Sequence, residues 1–237
     1  MSPHTRPRAA SKQDRIVEAT RELLLRHGFR GVTVAEVAKR AQVGKGTVYL
    51  YWPTKDDLVL ELFTREHLHA VGRLVDALAA DPATVLPRNL FPLMQRIAVD
   101  QPFVRALRTA DLELLGLITG HPRATTMLRA LDPGVVVASI LPVLREHRIV
   151  RTDLPAEAQA YAAHAVASGF LGLATGVFPP GGPAVADREP ATALADTMRL
   201  LLEPAEPADG AAVAAAAAAV RSLVAAVRDG LRPEAAR

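Results

Sequence analysis

The chain has 237 residues, half of them hydrophobic but only 4 % aromatic, which bounds it to one large domain, or a small domain joined to a larger one, with a core of Leu, Val and Ala. It has no cysteine, so disulfides and thiolate metal sites are excluded and a reducing compartment is compatible. The net charge is only +3, but residues 1–55 hold 11 Lys and Arg against 4 Asp and Glu, a balance of +7, while the remainder holds 17 against 21, a balance of −4. A basic end on a mildly acidic body suits either a polyanion bound at that end or a merely soluble basic head.

Residues 1–10 carry Arg6 and Arg8 with no apolar stretch behind them, so they read as a flexible basic arm rather than a signal peptide. The first helix starts at Ser11, whose hydroxyl is placed to accept from the amide of Asp14. Ile16, Ala19, Leu23 and His27 mark one side of it, and Gly28 is placed to stop it in a left-handed conformation, with Phe29 following as an anchor. Thr33 and Glu36 form a T-x-x-E capping box for a second helix, buried through Val34, Val37, Ala38 and Ala41. After a tight turn at Gln42-Val43-Gly44, a short third helix runs from Lys45 to Tyr51 and must end before Pro53. Thr54, with Asp57 three residues on, opens a long fourth helix that Asp81-Pro82 terminates.

The rest reads as apolar helices over 87–100, 102–119, 122–131, 134–147, 155–178, 190–202 and 208–231, several opening on a proline suited to a first helical turn. Residues 179–183 and 204–207 are loops. Strand signals are nearly absent, since the β-branched run Val135-Val136-Val137 lies within helical spacing, and the fold class is all-α. The best membrane candidate, 158–178, carries Gln159, Tyr161, His164 and Ser168 and reads as a buried helix of a protein without a membrane partner.

The segment 33–58 carries the functional signal: a capped helix, a short turn, and a short helix rich in hydroxyl and basic groups, which is the layout of a helix-turn-helix. Gly46 lets backbone come close to phosphate. Val48 and Leu50 cannot both face water and Trp52 is a large anchor, which leaves Lys45, Thr47, Tyr49 and Tyr51 for phosphates and base edges. The run from Gly44 to Leu58, with Ala35, Val37 and Ala38 before it and the first helix ending at Gly28-Phe29, resembles the DNA-binding domain of the TetR (tetracycline-repressor) family of regulators. The close resemblance covers residues 12–58; beyond them only helical layout and length are similar. Tyr51 stands where that family often has histidine, which puts base preference in doubt, and Trp52 where it often has phenylalanine.

The resemblance implies that Thr33 contacts phosphate with hydroxyl and amide, that Lys45, Thr47 and Tyr51 face the groove, and that Tyr49 and Lys55 bind phosphates. It divides the chain into the arm 1–10, a DNA-binding domain 11–54, a helical ligand-binding and dimerisation domain 55–231 and a tail 232–237. The expected partners are a double-stranded DNA operator, a second copy of the chain and a small hydrophobic effector, in the cytoplasm, with no cofactor or metal. Each role has a plainer alternative. Tyr49 suits packing, Lys55 a solvated helix end, and Arg6 and Arg8 either a loose tail or a minor-groove arm.

In the larger domain, Ala165, Gly169, Gly172 and Gly176 form a stripe at helical spacing that suits either a dimer seam or close packing within one subunit. Pocket candidates are Phe91, Met94, Phe103, Leu112, Leu115, Met127, His164 and Phe170, residues equally at home in an ordinary core. Arg105, Arg108, Asp111 and Glu113 suit either pocket anchors or surface pairs. The rivals are an all-α enzyme, for which no nucleophile motif, phosphate loop or zinc pair is found, and an architectural DNA-binding protein, which would need no cavity. His67 and His69, two residues apart, face different directions on a helix.

Overall fold

A computed structural model describes residues 11–28, 31–101, 133–178 and 190–230. Among the described residues every regular element is helical, as the sequence predicts. The chain forms two compact units that divide between Arg65 and Glu66, inside one continuous helix.

The first unit holds α1 (Lys12–His27), α2 (Val34–Arg40), α3 (Lys45–Tyr51) and the start of α4 (Lys55–Ala80). Two of these helices, α1 and α2, open on the same reciprocal device, in which a hydroxyl accepts from an amide three residues on and the carboxylate there accepts from the capping amide. Thr54 and Asp57 make the same exchange at the start of α4, at 3.0 Å in both directions. α3 opens from Gly44 with no side-chain cap. Ile16, Val37, Val48, Leu58, Leu62 and Phe63 are each at most 1 % exposed, and burying such side chains stabilises the unit by about 1.5–3 kcal/mol apiece. Arg65 donates to Asp14 at 2.7 Å and to Glu61 at 2.6 Å, joining α4 to the start of α1.

One helix end differs from expectation, and the tight turn after α2 is made as expected. Gly28 has φ 67° but ψ 176°, an extended conformation with positive φ that is open essentially to glycine alone, rather than a left-handed helical one. In the turn after α2 the left-handed residue is Gln42, at φ 56°. Its amide donates to the Lys39 carbonyl and that of Val43 to the Ala38 carbonyl, the paired pattern that closes a helix end.

The second unit comprises the rest of α4, a 3-10 turn (Pro82–Val85), α5 (Pro87–Asp100), α6 (Pro133–Glu146), α7 (Ala156–Ala174), α8 (Pro190–Leu202) and α9 (Gly210–Gly230). α5 packs on α7 and α8, α7 on α6 and α8, and α9 on α6 and the 3-10 turn. Ala163, Leu194, Met198, Ala216 and Val220 lie at the heart of this core.

Distant partners close its helix ends. Glu203, its side chain 6 % exposed, accepts from the Arg88 amide at 3.0 Å and from the Arg88 guanidinium at 2.6 Å, so it serves the first turn of α5. Fully buried Gln159 accepts from Arg145 at 2.9 Å and donates to the Arg151 carbonyl at 3.0 Å. α7 ends at Ala174, four residues short of the expected 178, because Gly176 at φ 73° closes it, with the Val177 amide donating to the Gly172 carbonyl. The expected helices 102–119 and 122–131 and the loop 179–183 lie outside the described residues. Among the described helices the one long and apolar enough to cross a membrane is α9, not α7, and it buries Ala216, Ala217, Val220 and Val224 in the core.

Candidate functional site

The geometry of α3 follows from its position. α2 packs against it, and Val48 and Trp52 are its buried members, at 1 % and 8 % exposure. Trp52 meets the Tyr51 ring at a tilt of 56°, centroids 5.6 Å apart. The expected pairing of Val48 with Leu50 on one side does not occur: Leu50 is 82 % exposed. Residues two apart on a helix are separated by about 200°, so they cannot share a face. For the same reason Lys45, Thr47, Tyr49 and Tyr51 split in two. Lys45 and Tyr49 form one flank, with the Lys45 Nζ 5.7 Å from the Tyr49 ring centroid. Thr47 and Tyr51 form the other, and Gly46 and Leu50 stand between them. Tyr49 and Tyr51 are both exposed. A Cβ added at Gly46 meets nothing within 4 Å, so nothing in the fold itself requires glycine there.

Thr33 sits at the start of α2, and both groups assigned to phosphate are already engaged. Its amide and its hydroxyl each donate to the Glu36 carboxylate at 2.8 Å. These two bonds, the amide first, hold the Glu36 carboxyl below its ordinary pKa. A phosphate at Thr33 therefore has to displace Glu36. Lys55, at the start of α4, is half-buried, and burial pushes its ammonium below the ordinary value against the raising influence of Asp56 and Glu36.

In the second unit an apolar cavity of about 160 Å³ is lined by Ala70, Val71 and Leu74 of α4, Met94, Ile97 and Ala98 of α5, Ile140 and Ser139 of α6 and Val224 of α9, with His67 the one ionisable side chain on its wall. Of the sequence candidates among the described residues, only Met94 lines it. Phe91 lines a packing void of about 10 Å³. Phe170 packs against the core as a partly buried side chain, and the His164 Nδ1 is buried without a hydrogen-bond partner; neither lines either space. Phe103, Leu112, Leu115 and Met127, like Arg105, Arg108, Asp111 and Glu113, lie outside the described residues. Size and aromaticity pick core residues; the cavity wall instead mixes small and β-branched side chains, which leave space because they do not fill it. His69 is paired with Gln101, Nδ1 to Nε2 at 3.3 Å.

The four small residues do not share one bare face of the chain. Gly172 is covered by the Phe178 ring of the same chain, and a Cβ there would lie 2.3 Å from it. Gly176 lies beyond α7 and ends it. Ala165 is exposed and Gly169 has open space over it. Large apolar side chains are exposed on both helices, Tyr161 at 76 % and Leu173 at 60 % on α7 and Leu200 at 67 % on α8.

Residues 16–62 match the model of the family described as bacterial regulatory proteins, tetR family. Among curated proteins, the chain is 39 % identical over 62 residues to the uncharacterized HTH-type transcriptional regulator YdeS of Bacillus subtilis, covering 26 % of this chain and 31 % of that one. It is 30 % identical over 70 residues to the fatty acid metabolism regulator protein of the same organism, covering 30 % and 34 %. The chain thus spans about a third of the length of the curated relatives it matches. In fold it resembles a TetR transcription regulator from Haloarcula marismortui, with a TM-score of 0.54, 19 % identity, and coverage of 81 % of this chain and 98 % of that one. A TetR family transcription regulator from Marinobacter aquaeolei is similar at a TM-score of 0.50 and 14 % identity, covering 81 % and 95 %. Residues 16–62 thus carry the N-terminal segment of the tetR family of bacterial regulatory proteins, and the described fold is similar to that of solved members of that family.

Proposed function

We propose that this protein is a cytoplasmic transcriptional regulator, a repressor, that binds a pseudo-palindromic DNA operator as a homodimer and is released by a small apolar effector. The observation that carries the reading is the face of α3: a lysine, a threonine, two phenols and an open glycine project from a short helix that the core does not use. These groups suit phosphates and base edges, and the +7 balance of residues 1–55 suits a polyanion. Thr47 and Tyr51 read bases, while Lys45, Tyr49, Lys55 and, once Glu36 is displaced, Thr33 position the backbone.

The exposed apolar side chains of α7 and α8, with open space over Gly169, support a two-fold dimer, which would place two reading helices about one DNA turn apart. The cavity supports a sensor over an architectural DNA-binding protein. Its volume is close to the roughly 150 Å³ at which an apolar protein cavity admits a benzene-sized guest. α4 carries both Lys55 at its start and the wall residues His67, Ala70, Val71 and Leu74, so a guest that moves this helix changes the presentation of α3.

The test begins with selection of a binding sequence from random duplex DNA, followed by fluorescence anisotropy against salt. Lys55→Ala is expected to weaken all sequences alike and lower the log–log salt slope by about one. Apolar compounds that bind the second unit should weaken operator binding by about 5- to 150-fold, and the operator should weaken them equally. Recovery of no preferred sequence rejects the regulator reading. Tight guests that leave operator affinity unchanged reject the switch alone.

A further inference from the structure

Leu50 occupies the middle of the exposed face of α3 and is 82 % exposed, the barest large hydrophobic side chain among the described residues. It adds nothing to the core, which Val48 and Trp52 serve from the opposite side of the helix. Gly46, one turn earlier, points the same way and has no side chain to hold Leu50 away from an approaching surface. On the two flanks stand Lys45 with Tyr49 and Thr47 with Tyr51, all able to donate hydrogen bonds. An aliphatic side chain in the centre of such a polar face needs an apolar counterpart within a polyanionic partner. Among the groups on base edges in the major groove, the one that is purely apolar is the 5-methyl of thymine.

We infer that Leu50 reads sequence by van der Waals contact with the 5-methyl group of one thymine in each operator half-site. The inference rests on the DNA-binding reading above and deepens it by naming a base and an atom. Leu50 neither donates nor accepts a hydrogen bond, so it discriminates by shape and desolvation. Thymine offers it a methyl, whereas cytosine has only a hydrogen at C5, beside a polar amine at C4 that leucine leaves unmet. The flanking hydroxyls and the Lys45 cation align the helix so that this contact closes.

The experiment uses the full chain and the operator selected with it. Each thymine of one half-site is replaced singly by deoxyuridine, which removes only the methyl, and affinities are measured by anisotropy for the unmodified protein and for Leu50→Ala. The variant leaves the core untouched, and circular dichroism together with unchanged affinity for random DNA confirms that it is folded. At one thymine, removal of the methyl is expected to weaken the unmodified protein about fourfold, the value of burying one methyl-sized group. The same removal is expected to leave Leu50→Ala unchanged. Loss of the methyl that costs both proteins equally at every position, or costs the unmodified protein nothing anywhere, overturns the contact while leaving the DNA-binding reading in place. Selection of no operator overturns both.

Discussion

α2 opens on a carboxylate three residues away, that of Glu36, whereas α5 opens on one 115 residues away, that of Glu203. The contrast recurs at other helix ends, although in the second unit Asp209 and Asp81 also cap locally, at α9 and the 3-10 turn. In the first unit, Ser11 with Asp14, Thr33 with Glu36 and Thr54 with Asp57 are complete within one helical turn. In the second, the ends of the helices are tied by Glu203, by Gln159 between Arg145 and Arg151, and by the Arg151 amide on the Leu202 carbonyl at 2.7 Å. A local cap needs only its own turn to form, so the first unit's helix starts can exist before the unit is packed. A distant cap exists only once packing has brought its partner in. The helices on either side of α3, α2 and α4, therefore start on local caps, whereas α5, which lines the cavity, starts on a distant one.

This contrast makes the distant ties the most damaging to remove. Glu203→Ala leaves an arginine and a first-turn amide without their carboxylate, and a loss of about 2 kcal/mol is expected, below the full cost of breaking a buried pair because Arg88 is partly exposed. Urea unfolding measures it; a midpoint that does not move would mean that water serves α5 equally well.

Gly46→Ala should separate the reading face from the fold. Since a Cβ there meets nothing, helix propensity predicts a stability gain of about 0.5 kcal/mol. The added methyl stands off the DNA, and an affinity loss of about tenfold, or ~1.4 kcal/mol, is expected. Thermal melting and anisotropy on the same sample decide; lowered stability, or undiminished affinity, would place Gly46 outside the interface.

A local cap should cost less than a distant one. Thr33→Ala is expected to lose about 1 kcal/mol, and acid sharpens the point. Glu36 and Asp14 both sit below their ordinary pKa, Glu36 through Thr33, Asp14 through the Ser11 side chain first and Arg65 next. A carboxylate depressed on folding contributes stability that is present above its unfolded pKa of about 4 and is lost as pH falls through the lower folded value. Below about pH 4 the unmodified protein should therefore lose stability more steeply than Thr33→Ala. Parallel pH profiles would show that the box does not hold the charge.

The smallest effect is expected at Gln42, whose φ of 56° favours glycine. Gln42→Gly relieves the left-handed strain at some entropic cost, for a net gain of about 0.5 kcal/mol. Arg148, also at φ 56°, ends α6 with the same bond pattern in the second unit. If Arg148→Gly gains more than Gln42→Gly, the turn of the reading head is not the more strained of the two.

Much of this was legible without coordinates. Ser11, Thr33 and Thr54 mark helix starts that the structure places where the capping pattern predicts. Pro87 and Pro190 open helices over the predicted spans. The orientation of α3 was misread because its polar residues alternate, and alternation describes a strand; at about 100° per residue the centre of the face falls on Gly46 and Leu50. A helical projection would have found Leu50. No projection would have found the cavity wall, since Ala70, Ala98 and Ser139 are unremarkable along the chain and matter only through the space they leave between helices.

The amino-acid sequence by itself determined that the chain is helical, where the first unit's helices begin, and which family's N-terminal segment it carries. Each of those rests on interactions within one turn, or on a motif contained in some 50 consecutive residues. Tertiary structure alone decided that Glu203 rather than a neighbour serves α5, that the Phe178 ring covers Gly172, and where the second unit leaves an apolar void. Burial and empty space are properties of what arrives from elsewhere in the chain, so the residues that border them carry no local mark.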